Sequence, residues 1–488
     1  MHRALRLVMC ALGVASVLHA QHSVDGYVPE TDPLVQQKLV KWQDVKFGLF
    51  MHWGIYSQWG IEASWSFCSE DNGWNPRENG RFENYEQYKE DYRNLRKVFN
   101  PTKFSPEKWA RAAKEAGMRY VVLTTKHHDG FCMFDTKTTD YKITSAECPF
   151  HTNPRANIAK ETFHAFRADG FMIGAYFSKP DWDSKDYWWP YFATPDRHVN
   201  YDPARYPERW NRFKEFTFRQ IEELMTGYGS VDILWLDGGW IRPANTIPRR
   251  FEDWAKKNNW NQDIDIPRIA GMARAHQPGL IVVDRTVAGK FENYVTPEGS
   301  VPDEPIQVPW ETCLMMATDQ WSFKPNQKFR PARELIHALV DNVSKGGNLL
   351  LDIGPSPEGD WPDTAYHRLK EIGAWMKVND EAIYETQFIA PFKDGKIRLT
   401  QKKNTEAVYA VYLGEEHESS PPTRIRLGVL RPKEGATVTM LGVKGELKWE
   451  NDGRGCTIQI PESVCSKPPC KYAWTIKISS HMRVKDKG

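Results

Sequence analysis

The sequence has almost no net charge: 65 lysines and arginines face 63 aspartates and glutamates. Residues 1–20 hold Arg3, Arg6 and no acidic side chain, so the remainder balances at 63 of each sign. There is no long Lys/Arg run. A nucleic-acid partner requires a concentrated basic face, which is missing here. Beyond the N-terminus no stretch reaches about 18 apolar residues, so no transmembrane helix is expected. The eight cysteines show neither a CxxC nor a Cys/His zinc spacing, which argues against a structural metal site. No fixed-period repeat occurs, which excludes a solenoid.

Aromatics are plentiful, with 20 tryptophans. Such rings fill cores and also pack on the apolar faces of sugars, and composition leaves both uses open. The N-terminus reads as an export signal over residues 1–20: a short basic start, an apolar run from Leu7 to Leu18, and the small Ala20. It contains Cys10, leaving Cys68, Cys132, Cys148, Cys313, Cys456, Cys465 and Cys470. Export permits disulfides. Cys456, Cys465 and Cys470 are close enough in sequence for one bridge, and an odd total leaves at least one thiol free or paired between chains.

From about residue 45 to 355, short apolar runs alternate with helical stretches. Phe47–Trp53, Tyr120–Thr125, Met172–Phe177, Val231–Leu236, Leu280–Val283 and Asn348–Ile353 read as strands covered on both faces. Ser105-Pro106 starts a helix that Gly117 closes, and another helix ends at Gly170. Repeated strand–helix units predict a (β/α)8-like barrel over residues 21–384. Short, partly alternating runs after about residue 385 predict an antiparallel β-sandwich over 385–488.

Barrel sites gather at the C-terminal ends of strands. The polar residues there are His52, His127, His128, Asp129, Tyr176, Asp237 and Arg285, followed by a carboxylate-rich segment from Glu292 to Glu311. Such a set suits a pyranose. Glycoside hydrolysis needs two carboxylates flanking the anomeric carbon. Asp237 ends an apolar strand and precedes two glycines that leave room for substrate; capping the next helix is its alternative role. Glu298, on a loop, and Glu311, at the end of a strand-like run, are equal candidates for the acid. His127 and His128 fit sugar contacts better than a metal, because adjacent side chains at a strand end point to opposite faces. His52 and Arg285 fit either the pocket or ordinary barrel packing.

These pieces, in this order, resemble the α-L-fucosidases of glycoside hydrolase family 29. The matching segments are Phe47–Gly54, Thr125–Phe131, Gly174–Ser178 with Trp182, Trp235–Gly238, Asp284-Arg285, Pro309–Cys313, Gly346–Pro355 and Trp375–Tyr384. The resemblance implies release of terminal α-L-fucose with retention, from a fucosylated glycan, without cofactor or metal. It implies Asp237 as nucleophile and sugar contacts at His52, His127, His128, Tyr176, Trp235 and Arg285. Trp65 and Trp321 fall where the family surrounds fucose with aromatics, and the spacing before Trp310-Glu311 favours Glu298 over Glu311 as acid/base, leaving Glu311 a binding role. Many members carry Glu-Trp after the first strand where this chain has Ser64-Trp65, with Glu62 out of register. The segment from Trp240 to Asp265 resembles an insertion that shapes a subsite beyond the fucose. A catalytically silent fucose-binding protein, or a hydrolase for another 6-deoxy or galacto-configured sugar, is the alternative.

Overall fold

Seven parallel strands carry the catalytic half of the chain: β1 (Phe47–Met51), β2 (Tyr120–Lys126), β3 (Met172–Ser178), β4 (Ile233–Asp237), β5 (Ile281–Asp284), β6 (Glu311–Met315) and β7 (Asn348–Asp352). A computed structural model describes residues 26–68, 84–194, 196–248 and 261–484. The expected leader at 1–20 and part of the expected 240–265 insertion lie outside the described residues.

The strand order is β5-β4-β3-β2-β1-β7-β6. Both faces are covered, so β2, β3 and β7 are buried along their whole length. Among the described residues seven strands, not eight, form the hydrogen-bonded ladder. Between β5 and β6 an irregular segment takes the eighth place. Asn293 N donates to Val282 O on one side, and Cys313 N donates to Pro297 O on the other, at 3.0 and 2.9 Å. Backbone groups at that seam are thereby satisfied without a regular strand. The seam also sets Glu298 beside Cys313 in an isolated bridge.

The helices form where the sequence punctuates them. Pro106 opens the helix Pro106–Glu115, although the Ser105 side chain makes no cap bond. Gly117 and Gly170 turn the chain at positive φ before β2 and β3. Among the described residues, no helix is long and apolar enough to cross a membrane.

Antiparallel sheets follow the helix Asp363–Asn379. Ile397–Lys402 and Val408–Leu413 pair as the alternation predicts. The unforeseen strand Ala473–Ile478 completes that sheet between Val408–Leu413 and Val438–Met440. Among the described residues no disulfide joins Cys132, Cys148, Cys313, Cys456, Cys465 and Cys470. Cys456 points into the second core, and Cys470 Sγ lies against Ala473 O, so the expected bridge does not form.

Candidate active site

One cavity of about 620 Å³ opens at the C-terminal ends of the strands. Its lining includes His52, Trp65, His127, Tyr176, Trp235, Asp237, Arg285, Glu298 and Trp321. His128 stands behind this wall, with Nε2 at 3.7 Å from Asp237 Oδ2. The geometry thus gathers the sequence candidates except Glu311 and Asp129, whose buried carboxylate accepts from Tyr92 OH away from the cavity.

Glu311 begins β6 rather than ending a run, which puts it at the opposite end of the barrel. It is fully buried, and Tyr120 OH donates to its Oε2 at 2.5 Å. Trp42, Trp235 and Tyr294 surround the carboxyl, and burial pushes it up to about 7. Its contact with the site is indirect, through the underside of Trp235. The two glycines after Asp237 also differ from expectation. Gly238 adopts φ +89°, and a Cβ there would overlap Pro180; one at Gly239 would overlap Thr286. They make room for the protein's own loops.

Asp237 closes β4. Tyr176 OH donates to Oδ2 at 2.8 Å and Arg285 Nη1 to Oδ1 at 3.1 Å. Burial by itself raises a carboxyl, but Arg285, the Tyr176 hydroxyl and the Gly238 N–H outweigh it and hold Asp237 well below the usual carboxylate range. The group is an anion at neutral pH, as a nucleophile must be. Arg285 Nη2 simultaneously donates to Glu298, and its Nε to Thr296 Oγ1 at 3.2 Å. One guanidinium therefore spans both carboxylates.

The imidazoles are neutral. Burial pushes His52 down to about 4 and His127 to about 3, and lowers His128 well below its ordinary value. Each has its Nδ1 engaged from behind. His52 meets Asp352 at 2.8 Å, His127 meets Ser64 at 2.5 Å, and His128 meets Ser178 at 2.7 Å. Ser178 spends its one proton on Pro180 O, so it accepts from His128 Nδ1–H. The bare Nε2 then faces the Asp237 carboxylate, two acceptors awaiting a donor. His127 and His128 do not point to opposite faces. The strand stops at Lys126, and their rings lie 4.2 Å apart. With Asp237 they place donor atoms within 4.8 Å of one another, a spacing that also suits a metal ion.

Rings build the floor: Tyr176 stacks at 5.3 Å from Trp235 and 5.7 Å from His127, and Trp321 lies tilted at 5.2 Å from His52. Glu62 enters from the loop after β1. Its carboxylate accepts from Trp321 N at 3.1 Å. Burial, reinforced by Asp352, Glu298 and Asp319, overcomes that hydrogen bond and pushes Glu62 up to about 8. A neutral carboxyl able to donate is thus part of the wall. Sequence reasoning had noted Glu62 only as out of register. It gave no sign of Asp196 and Arg197, which complete the outer lining together with Gln262 of the 240–265 segment.

Comparison with known proteins agrees with this chemistry. The alpha-L-fucosidase family model matches residues 14–381, and the alpha-L-fucosidase C-terminal domain model matches residues 392–479. The human tissue alpha-L-fucosidase is 28% identical over 508 aligned positions, covering 98% of this chain and 97% of the relative. Among solved structures, alpha-L-fucosidase isoenzyme 1 from Paenibacillus thiaminolyticus superposes with a TM-score of 0.71 at 27% identity, covering 91% of this chain and 99% of that one. A family 29 alpha-L-fucosidase from Bacteroides thetaiotaomicron gives a TM-score of 0.69 at 25% identity, covering 93% and 97%. The buried anion at a strand end, the neutral imidazoles and the aromatic floor are thus those of a sugar hydrolase, and the chain belongs to the α-L-fucosidases of glycoside hydrolase family 29.

Proposed function

We propose that the enzyme releases terminal α-L-fucose from fucosylated glycans with retention, using Asp237 as nucleophile and Glu298 as acid/base. The observation that carries this reading is Arg285, whose single guanidinium touches both carboxylates. Retaining enzymes hold the pair about 5–5.5 Å apart, whereas inverting enzymes leave about 6.5–9.5 Å for a water. One guanidinium touching both carboxylates keeps them close enough to serve a single anomeric carbon, which supports the pairing.

Asp237 attacks the anomeric carbon while Glu298 protonates the departing oxygen, breaking the glycosidic bond and forming a β-fucosyl ester. Glu298 then takes a proton from water, whose oxygen displaces Asp237 and restores the α configuration. His52, His127, His128, Tyr176 and Arg285 hold the sugar hydroxyls, and Trp65, Trp235 and Trp321 enclose its apolar face. The two carboxylates supply both steps, so the scheme calls for no metal or cofactor. The leader at residues 1–20 supports export to the periplasm or the medium.

Asp237→Ala should abolish turnover of an aryl fucoside, and azide should restore it with a β-fucosyl azide product. Glu298→Ala rescued by azide should give the α-azide. Normal turnover by Asp237→Ala refutes the nucleophile, and an inverted product from Glu298→Ala refutes the acid/base.

A further inference from the structure

One turn of the active site is strained, and the strain lies directly beside Arg285. Val287 N donates to Asp284 O at 3.0 Å, closing a β-turn at the end of β5 with Arg285 and Thr286 as its central residues. Thr286 takes φ +61°. A positive φ at the second central position is ordinarily met by glycine or asparagine. Among the described non-glycine residues with positive φ, Thr286 alone is β-branched, the kind of side chain for which this conformation is a genuine outlier. Closing the turn does not require a threonine, since glycine would close it without strain.

Three groups keep the residue there. Glu292 is buried and stands outside the cavity lining. It reaches back so that its Oε1 accepts from Thr286 N at 2.8 Å. Arg242 Nη2 donates to Thr286 O at 2.5 Å, and Arg242 Nε donates to Gly239 O. Thr286 Oγ1 packs against Gly239 so closely that a Cβ on the glycine would overlap it. The backbone N–H and C=O of Thr286 are therefore both gripped by side chains. The turn bearing Arg285 is also tied to the turn that follows Asp237. Strain persists at a functional site where surrounding bonds over-determine it. Here those bonds join the two backbone segments whose side chains meet as Arg285 and Asp237.

We propose that Thr286 and Glu292 are positioning residues that aim the Arg285 guanidinium at both carboxylates. The proposal deepens the fucosidase reading above and rests on it. Glu292→Ala removes the acceptor, and Thr286→Gly removes the wedge while still permitting the turn. Each should lower kcat for an aryl fucoside by about tenfold or more. The double variant should fall little below the worse of the two, because both act through one group. Around Asp237 the imidazoles of His52, His127 and His128 and the Tyr176 hydroxyl are neutral, and Lys179 is paired with Asp284. A displaced Arg285 should therefore also move the acid limb of kcat/KM upward in both variants. Glu292→Gln, which keeps an acceptor, should stay within about twofold of wild type. A crystal structure of Glu292→Ala should show Arg285 withdrawn from Asp237 or from Glu298. An unmoved Arg285, an unmoved acid limb or additive losses in the double variant overturns the proposal. So does a Gln variant as poor as Ala, or Thr286→Gly at full activity. The crystal structure needs no turnover, so it decides the positioning even if the wild type cleaves no aryl fucoside, the result that would sink the fucosidase reading itself.

Discussion

Arg285→Met removes the largest cation acting on Asp237 and leaves an apolar stem of similar reach. Arg285 Nη1 stands 3.1 Å from Asp237 Oδ1, and both side chains are mostly buried. Two unit charges about 4 Å apart at an effective dielectric of about 20 interact by about 4 kcal/mol, equivalent to about three pH units. Without that interaction, burial acts against only the Tyr176 hydroxyl and the Gly238 N–H. The Asp237 pKa should therefore rise, by up to about three units. The sign is fixed by the chemistry: only the anion attacks, so activity is lost as pH falls through this pKa. The acid limb of kcat/KM reports the free enzyme. In the wild type it lies below the usual carboxylate range; in the variant it should move up into that range, near pH 4, or above it. The assay is kcat/KM for an aryl fucoside from about pH 3 to about pH 8, with folding checked by circular dichroism at each pH. A folded variant whose acid limb stays in place would refute Arg285 as the group that keeps Asp237 ionised.

Two further carboxyls give opposite kinds of prediction. Glu311 is pushed up to about 7 by burial from an ordinary 4.5, so the native state holds its proton more tightly than the unfolded chain does. Its contribution is fully present below pH 4.5 and disappears as pH rises through 7. Glu311→Gln, which imitates the protonated form, should flatten the pH dependence of the urea midpoint over that window and gain up to about 3 kcal/mol over wild type above it. A wild type whose stability rises from pH 5 to 7 as steeply as the variant's would contradict this. Glu62, pushed up to about 8 chiefly by burial, faces the substrate instead. Glu62→Gln should keep kcat/KM within about threefold at neutral pH, since a neutral donor is preserved, and Glu62→Ala should lose about tenfold. Wild-type KM should climb above pH 8, and KM of the Gln variant should not; parallel KM curves would remove Glu62 from the substrate's hydrogen-bonding partners.

The barrel was legible because its strands are buried on both faces: continuous apolar runs such as Tyr120–Thr125 have few other uses. Residues at or just past the ends of those runs, His52, Asp237 and Arg285, line the cavity. The same logic misplaced Glu311. An apolar run and a terminal carboxylate look alike from either direction, and Trp310-Glu311 stands at the start of β6, not the end of a strand. Nothing local distinguishes the two. The difference is made by Tyr120, 191 residues away, whose hydroxyl occupies the carboxylate. His127 and His128 were misread for a related reason, since the alternation rule applied to them stops with the strand at Lys126. Ala473–Ile478, by contrast, carries its signal locally, as a largely apolar and almost wholly buried run. The outer lining left no periodic trace at all. Trp240 is aimed by Tyr187, 53 residues earlier, and by Gln262, 22 residues later, through hydrogen bonds between loops. Strand-end chemistry is encoded in local pattern, whereas the segment expected to shape a subsite beyond the fucose is held by side-chain bonds between distant loops. Substitutions at Tyr187 or Gln262 should therefore change which fucosides are cleaved sooner than whether fucose is.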